Sequence, residues 1–170
     1  MPISAPEPLN ASHDLSKFSC GKDSLDVWLT TRARSNHDKG FTVVRVVHQD
    51  GRVVGYHGIA PTAVVPNSLP RSIRTGQPPD PVPCLLLGQL AVDSNWANQG
   101  IGSGLLKDAL SRCVQGAALI GGRAVMVNAI DQDALDYWKR RGFVSSRDNP
   151  FILYRSVEVI AASLREATKP

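Results

Sequence analysis

The chain lacks the features that mark a secreted, membrane-spanning or metal-built protein. Only three cysteines occur, Cys20, Cys84 and Cys113, odd in number and far apart. That excludes a disulfide framework or a C-x-x-C zinc site and fits reduced thiols. No apolar run exceeds the length of a strand, so no membrane-spanning helix is expected. The first ten residues, MPISAPEPLN, lack the basic-then-apolar order of a signal peptide, and a cytoplasmic protein is the expectation. No Gly-Lys-Ser/Thr closes a glycine loop, which removes the ATP/GTP-type phosphate site. The dinucleotide fingerprint G-x-G-x-x-G also fails, because Leu105 stands where a third glycine belongs.

What is present is a globular composition, 42% hydrophobic and 20% charged, which at 170 residues suffices for one domain with a proper core. Residues 1–14 read as a flexible lead-in and residues 15–170 as a single domain. Lys22 to Asp38 reads as a helix capped by Asp23, with Leu25, Trp28, Leu29 and Ala33 on one face. Phe41 to His48 and Arg52 to Ala60 read as strands joined at Gln49-Asp50-Gly51. Pro61 to Pro83 reads as a loop with at most one helical turn. Leu85 to Val92 reads as a central strand. Ile101 to Ala118 reads as a long helix whose inward face is Leu105, Leu106, Ala109, Leu110 and Cys113. Strand Ala124 to Ala129, helix Asp131 to Arg141, strand Phe151 to Val157 and helix Glu158 to Ala167 complete a mixed α/β sheet with helices on both faces.

Between the central strand and the long helix lies Gln99-Gly100-Ile101-Gly102-Ser103-Gly104. A glycine turn opening a helix aims several backbone N–H groups and the positive end of a helix dipole at one place, a ready seat for a pyrophosphate. On its own this pattern equally describes an unliganded connection. The second segment that bears on it is A-x-x-Y-W-x-x-x-G-F, Ala134 to Phe143.

Together these segments resemble the GNAT family of acyl-CoA-dependent N-acetyltransferases, whose turn Q/R-x-x-G-x-G/A falls on Ala97 to Gly102. Phe18-Ser19-Cys20-Gly21, the run Arg34 to Gly40, Leu87 to Asp93 and Arg112-Cys113-Val114-Gln115 are similar to the GNAT toxins of bacterial toxin–antitoxin modules, over roughly residues 15–165. The resemblance implies a GNAT fold, a mostly antiparallel sheet splayed between strands 4 and 5. It implies acetyl-CoA as cofactor and acetylation of the α-amine of the amino acid on charged tRNA, which blocks translation. A homodimer and a ribbon-helix-helix antitoxin are the implied partners, with no metal. By the same likeness Asn98, Gln99, Gly100, Ile101, Gly102 and Ser103 would hold the pyrophosphate. Leu90, Ala91 and Val92 would hold the pantetheine arm, and a backbone N–H there would stabilise the oxyanion by around 3 kcal/mol. Asn128 and Asp133 would reach the other side of the coenzyme, although Asp133 reads better as a helix cap.

Members of the family commonly carry a tyrosine proton donor four residues before the glycine of Gly-Phe. Here Trp138 occupies that position and Tyr137 precedes it, so both are candidate catalytic residues. An indole cannot release a proton at neutral pH, which favours a packing role for Trp138. Two other positions depart from the pattern: Ala97 replaces the Gln/Arg that opens the turn, and Gln89 stands where related toxins often show arginine. No catalytic Glu or His is evident, which fits an α-amine, neutral in part near pH 7, better than a lysine. His37, His48 and His57 read as surface or packing residues. Net charge is +4 with pI ≈ 9.2. Arg32, Lys39, Arg71, Arg74 and Arg140 are the candidate RNA contacts, with Arg34, Lys139 and Arg141 beside them. Two other activities fit the same residues: acetylation of small amines or protein N-termini, and a catalytically weak coenzyme-binding module.

Overall fold

The computed structural model describes residues 2–168. Seven strands hydrogen-bond in the order β1-β2-β3-β4-β5-β7-β6. β1 with β2, β2 with β3, β5 with β7 and β6 with β7 pair antiparallel, whereas β4 and β5 run parallel. The chain forms two compact units, Met1–Ala60 with Gln89–Ala109, and Pro61–Gly88 with Leu110–Pro170.

In the first unit, β2 (Val43–Gln49) and β3 (Arg52–Val64) form the expected hairpin. Its turn needs two left-handed residues, which Asp50 (φ 49°) and Gly51 (φ 89°) supply. The expected single helix over 22–38 is two: α1 (Asp23–Thr31) and α2 (Ala33–Asp38), broken where Arg32 leaves helical geometry at φ −121°. Asp23 lies inside α1, whose cap position is Lys22 and makes no side-chain cap bond. Leu29 and Ala33, both fully buried, pack with Val44, Val46, Val53, Tyr56 and Ala91.

Residues 2–14, expected as a flexible lead-in, carry structure. β1 (Glu7–Pro8) pairs with β2, and Leu9 and His13 are buried. Glu7 Oε1 accepts from His13 Nε2 at 2.7 Å and from His48 Nε2 at 2.8 Å. A two-residue strand has no hydrophobic period for a sequence reading to detect.

The first half of α3 (Ile101–Ile120) packs on the hairpin through Leu105, Val47 and Val54. Gly55 permits this: a Cβ there would lie 2.7 Å from Leu105 Cδ1 and 3.0 Å from Val47 Cγ2. A polar bond adds to it. Asp108 Oδ2 accepts from His57 Nε2 at 2.8 Å and from Arg45 Nε at 3.3 Å. His57, read as a surface or packing residue, is fully buried.

In the second unit, β4 (Val82–Val92) starts in register with β5 (Ala124–Asn128), Leu85 facing Val125 and Leu86 facing Met126. Among the described residues no further β4–β5 pair follows Leu86, although β4 continues for six residues. β5 pairs with β7 (Ile152–Ser156), and β7 with the short β6 (Val144–Ser145), which the sequence did not announce. α4 (Gln132–Arg140) and α5 (Val157–Ala167) match the expected helices. The loop expected over 61–83 is shorter, because β3 runs on to Val64 and β4 begins at Val82; the one helical turn allowed for is a 3-10 turn at Pro66–Ser68. Leu69 and Ile73 anchor it in a core with Val82, Cys84, Ala124 and Tyr154, and Arg123 Nε donates to the Ile73 carbonyl at 3.0 Å. The inward face expected for the long helix is buried throughout, from Leu105 at 1% to Cys113 at 1% exposure.

Gly55→Val should lower unfolding stability by about 1–3 kcal/mol by overpacking against Leu105 and Val47. Urea unfolding measures it, and an unchanged midpoint would contradict the packing described.

Candidate active site

In the first unit, the site is built on how β4 ends. Asp93 is buried at 1% exposure, yet its carboxylate is satisfied. Oδ1 accepts from the Asn95 N–H at 2.9 Å and Oδ2 from the Ser19 N–H at 3.1 Å. The Ser94 N–H donates to the Ser19 carbonyl at 2.9 Å. The Phe18-Ser19-Cys20-Gly21 segment singled out in the sequence is thus a clamp on the strand's exit. Arg52 lies 3.9 Å from Asp93 and stacks over Trp96, 4.7 Å from its ring centre.

The chain then turns through Asn98 (φ 62°) and Gly100 (φ 82°), both left-handed. Asparagine tolerates that region and glycine is free in it. The Gly104 N–H donates to the Gly100 carbonyl at 3.1 Å, the first bond of α3. By helix geometry the N–H groups of Ile101, Gly102 and Ser103 therefore have no partner within the helix and point outward from its N-terminus. No acidic residue sits in that first turn to compete with an anion. Asn98, Gln99, Gly100 and Ser103 are exposed. A groove of about 290 Å³ runs along the turn, bounded by Gln99, Gly100, Ile101 and Gly104 and, facing them, by Ile3, Ser4 and Pro6. The N-terminal wall was not foreseen; nothing in its composition marks it.

Leu90, Ala91 and Val92 occupy the last turns of β4. Leu90 and Val92 pack toward α3, and Ala91 toward the α1 core. Gln89 lies beside Gly58, where a Cβ would be 3.4 Å from the Trp28 ring and 3.6 Å from Gln89 Cγ. Trp28 stacks on Tyr56, 6.0 Å between centroids. Burial pushes the Tyr56 phenol far up, and its hydroxyl donates to the Leu25 carbonyl at 2.7 Å.

The second unit carries the other candidates. Asn128 is exposed at the end of β5. The cap of α4 is Asp131, whose Oδ1 accepts from the Ala134 N–H at 2.9 Å. Asp133, expected as the cap, instead lies exposed in the helix's first turn.

Trp138 is a core residue. It is 6% exposed and meets the Phe143 ring edge-on at 5.0 Å. Its place follows from how α4 stops. Gly142 is left-handed (φ 85°); its N–H donates to the Lys139 carbonyl and the Phe143 N–H to the Trp138 carbonyl, each at 3.1 Å. That paired closure brings the residue after the glycine against the residue five before it, here Phe143 against Trp138. Tyr137, about 100° round the helix, is half-buried. Its ring meets Trp138 at 5.0 Å, and the Arg141 guanidinium lies 3.4 Å from its centre. Burial raises the Tyr137 phenol, and the Arg141 charge and hydrogen bonding pull against that rise.

Among the candidate RNA contacts, Arg32 and Lys39 are exposed in the first unit, and Arg71 and Arg140 in the second, with Arg74 half-buried. Arg34 is committed to the His13 carbonyl and Arg141 to Tyr137. No thiol is primed as a nucleophile: burial pushes Cys20 up to about 11 and Cys113 up to about 12, and raises Cys84.

Among the described residues, Glu7, His13 and His48 cluster closely enough to hold a metal. The polarity of the rings opposes it. The Asn10 and Gly51 N–H groups each donate at 3.0 Å to Nδ1 of His13 and His48, so the ring proton sits on Nε2, facing Glu7. A cation would need those Nε2 lone pairs.

Because Trp138 is built into the helix stop, Trp138→Tyr should lower the melting temperature and give no gain in acetyl-transfer rate. A faster variant would show that a hydroxyl at this position is what the site lacks.

The model of the acetyltransferase (GNAT) family matches residues 10–143. A tRNA-acetylating toxin of Mycobacterium tuberculosis is 41% identical over 150 residues, covering 88% of this chain and 90% of that protein. A tyrosine-to-phenylalanine variant of KacT superposes with a TM-score of 0.87 at 20% identity, covering 96% of this chain and 99% of that one. AtaT complexed with acetyl-methionyl-tRNAfMet superposes at 0.86 with 24% identity, covering 95% and 99%. AtaTR bound with acetyl-CoA gives 0.81 at 24% identity, covering 95% and 97%. With the family model spanning most of its length and this degree of identity to a relative, the chain belongs to the GNAT acetyltransferase family.

Proposed function

We propose that this protein is an acetyl-CoA-dependent toxin that acetylates the α-amine of the amino acid carried by charged tRNA and so blocks translation. The observation that carries the reading is the 41% identity, across nine-tenths of its length, to a tRNA-acetylating toxin. The exposed turn from Asn98 to Ser103 supports it by offering the free amides an acyl-coenzyme's diphosphate needs. Residues 15–170 act as one acetyltransferase domain working in the cytoplasm, as a homodimer held in check by a ribbon-helix-helix antitoxin. No described helix is long and apolar enough to cross a membrane.

In this reading Ile101, Gly102 and Ser103 hold the pyrophosphate with Asn98, Gln99 and Gly100. Leu90, Ala91 and Val92 offer backbone groups to the pantetheine arm, and Asn128 and Asp133 are further coenzyme contacts. The substrate amine attacks the thioester carbonyl, the C–S bond breaks, and the Tyr137 phenol gives its proton to the departing sulfur. The amine's surplus proton leaves to water, and water restores the phenol. Trp138 packs Tyr137 in place rather than donating. Arg32, Lys39, Arg71, Arg74 and Arg140 meet RNA phosphates.

Labelled acetyl-CoA incubated with total charged tRNA should leave its label on the aminoacyl group, and none on uncharged tRNA. Equal labelling of free amines or protein N-termini after ribonuclease treatment would favour the rival substrates. Coenzyme binding without turnover would leave a binding module. Tyr137→Phe should slow turnover by about 10²-fold or more with little change in KM for acetyl-CoA. A drop in affinity alone would assign Tyr137 to binding instead.

A further inference from the structure

We propose that Arg141 is a positioning residue for the proton donor: its guanidinium, stacked on the Tyr137 ring, holds the phenol in place and stabilises the phenolate left after proton transfer. The inference rests on the reading of Tyr137 as donor, and its test separates the two.

The geometry is specific. The guanidinium carbon lies 3.4 Å from the Tyr137 ring centre, close to face-on contact. Its NH1 donates to the Tyr137 carbonyl at 3.1 Å, so the same side chain closes the last turn of α4 and covers the ring of the residue it bonds. Arg141 is the cap residue of α4, and its backbone N–H donates to the Trp138 carbonyl. Trp138 packs on the ring edgewise at 5.0 Å. The phenol is therefore held between an apolar neighbour and a cation, each fixed by the helix stop that Gly142 makes.

The electrostatics give this geometry a consequence. Desolvation makes a buried phenol a weaker acid, and a fixed cation offsets that. Arg141 is the charged group acting on Tyr137; the acid beside it on α4, Asp136, accepts from Gln132 Nε2 at 2.9 Å. When the C–S bond breaks, its electron pair passes to sulfur, the phenol proton follows, and the negative charge appears on the Tyr137 oxygen beside the guanidinium. Lysine would keep the charge but lose the flat stack.

The sequence contains three tyrosines, which makes the test direct. Burial pushes Tyr154 up to about 12 and Tyr56 higher still, whereas Tyr137 has a cation opposing the rise. In a near-ultraviolet alkaline titration of the whole protein, Tyr137 should ionise first, and Tyr137→Phe should delete that step. Arg141→Leu should move the step to higher pH and lower kcat on the order of tenfold, with the high-pH limb of kcat moving up in parallel. Activity needs the protonated phenol, so it is lost as pH rises through that step; removing the cation delays the loss. Arg141→Lys should fall between wild type and Arg141→Leu in both readouts. It also guards against misfolding, as does an unchanged far-ultraviolet circular dichroism spectrum. If Arg141→Leu leaves the Tyr137 step and the limb where they are in wild type, the inference is overturned. If Tyr137→Phe turns over at the wild-type rate, the donor reading fails, whatever the titration shows.

Discussion

The first unit depends on a buried negative charge. Asp93 ends β4 with a carboxylate that water does not reach, and leaving such a group unpaired would cost several kcal/mol. The N–H groups of Asn95 and Ser19 satisfy it, one from the turn it introduces and one from a segment 74 residues earlier. This single side chain fixes where the strand stops and which way the chain leaves it. The left-handed pair Asn98 and Gly100 can then deliver Ile101 to Ser103 as the open end of a helix. Without that fixed exit the amides would still exist, but they would share no direction.

The opposite problem, holding the helix that presents those amides, has an apolar and a polar solution side by side. Gly55 brings Leu105 close to β3, and Asp108 binds His57 and Arg45 one turn further on. Apolar packing sets the distance between helix and hairpin. A charged hydrogen bond sets register along the helix, because a one-turn slide would strand Asp108 near the sheet. Register matters more here than in an ordinary core helix, since the N-terminus two turns away is the end proposed to hold the coenzyme.

The long helix, the hairpin and the turn were legible because each carries a strong local rule: a 3.6-residue apolar stripe, an Asp-Gly pair, alternating glycines. What escaped had no local signature. β1 and β6 are two residues each and exist only because a neighbouring strand offers an edge. The break at Arg32 interrupts a helical pattern with no glycine or proline to announce it. Asp131 rather than Asp133 caps α4, a choice between two nearby acids that propensity cannot resolve. The polar pairings, Glu7 with His13 and His48 and Asp93 with Ser19, join residues whose separation in sequence hides them.

With Trp138 in place of the customary tyrosine, the proposed reading divides a helix stop and a chemical role between adjacent residues. Position 138 must supply an apolar side chain to Phe143, because the left-handed turn at Gly142 folds those two residues together. A tyrosine there would serve that contact with part of its ring and keep its hydroxyl for chemistry. Tryptophan covers more area and leaves no acid. The next residue back cannot take the same direction, so the hydroxyl proposed as donor at Tyr137 lies on a different bearing and requires its own support. α4 provides that support at its own end. Arg141, four residues on, lies above Tyr137 by helix geometry, bonds its carbonyl and covers its ring. Trp138 is thus held from five residues on by Phe143, and Tyr137 from four residues on by the cation.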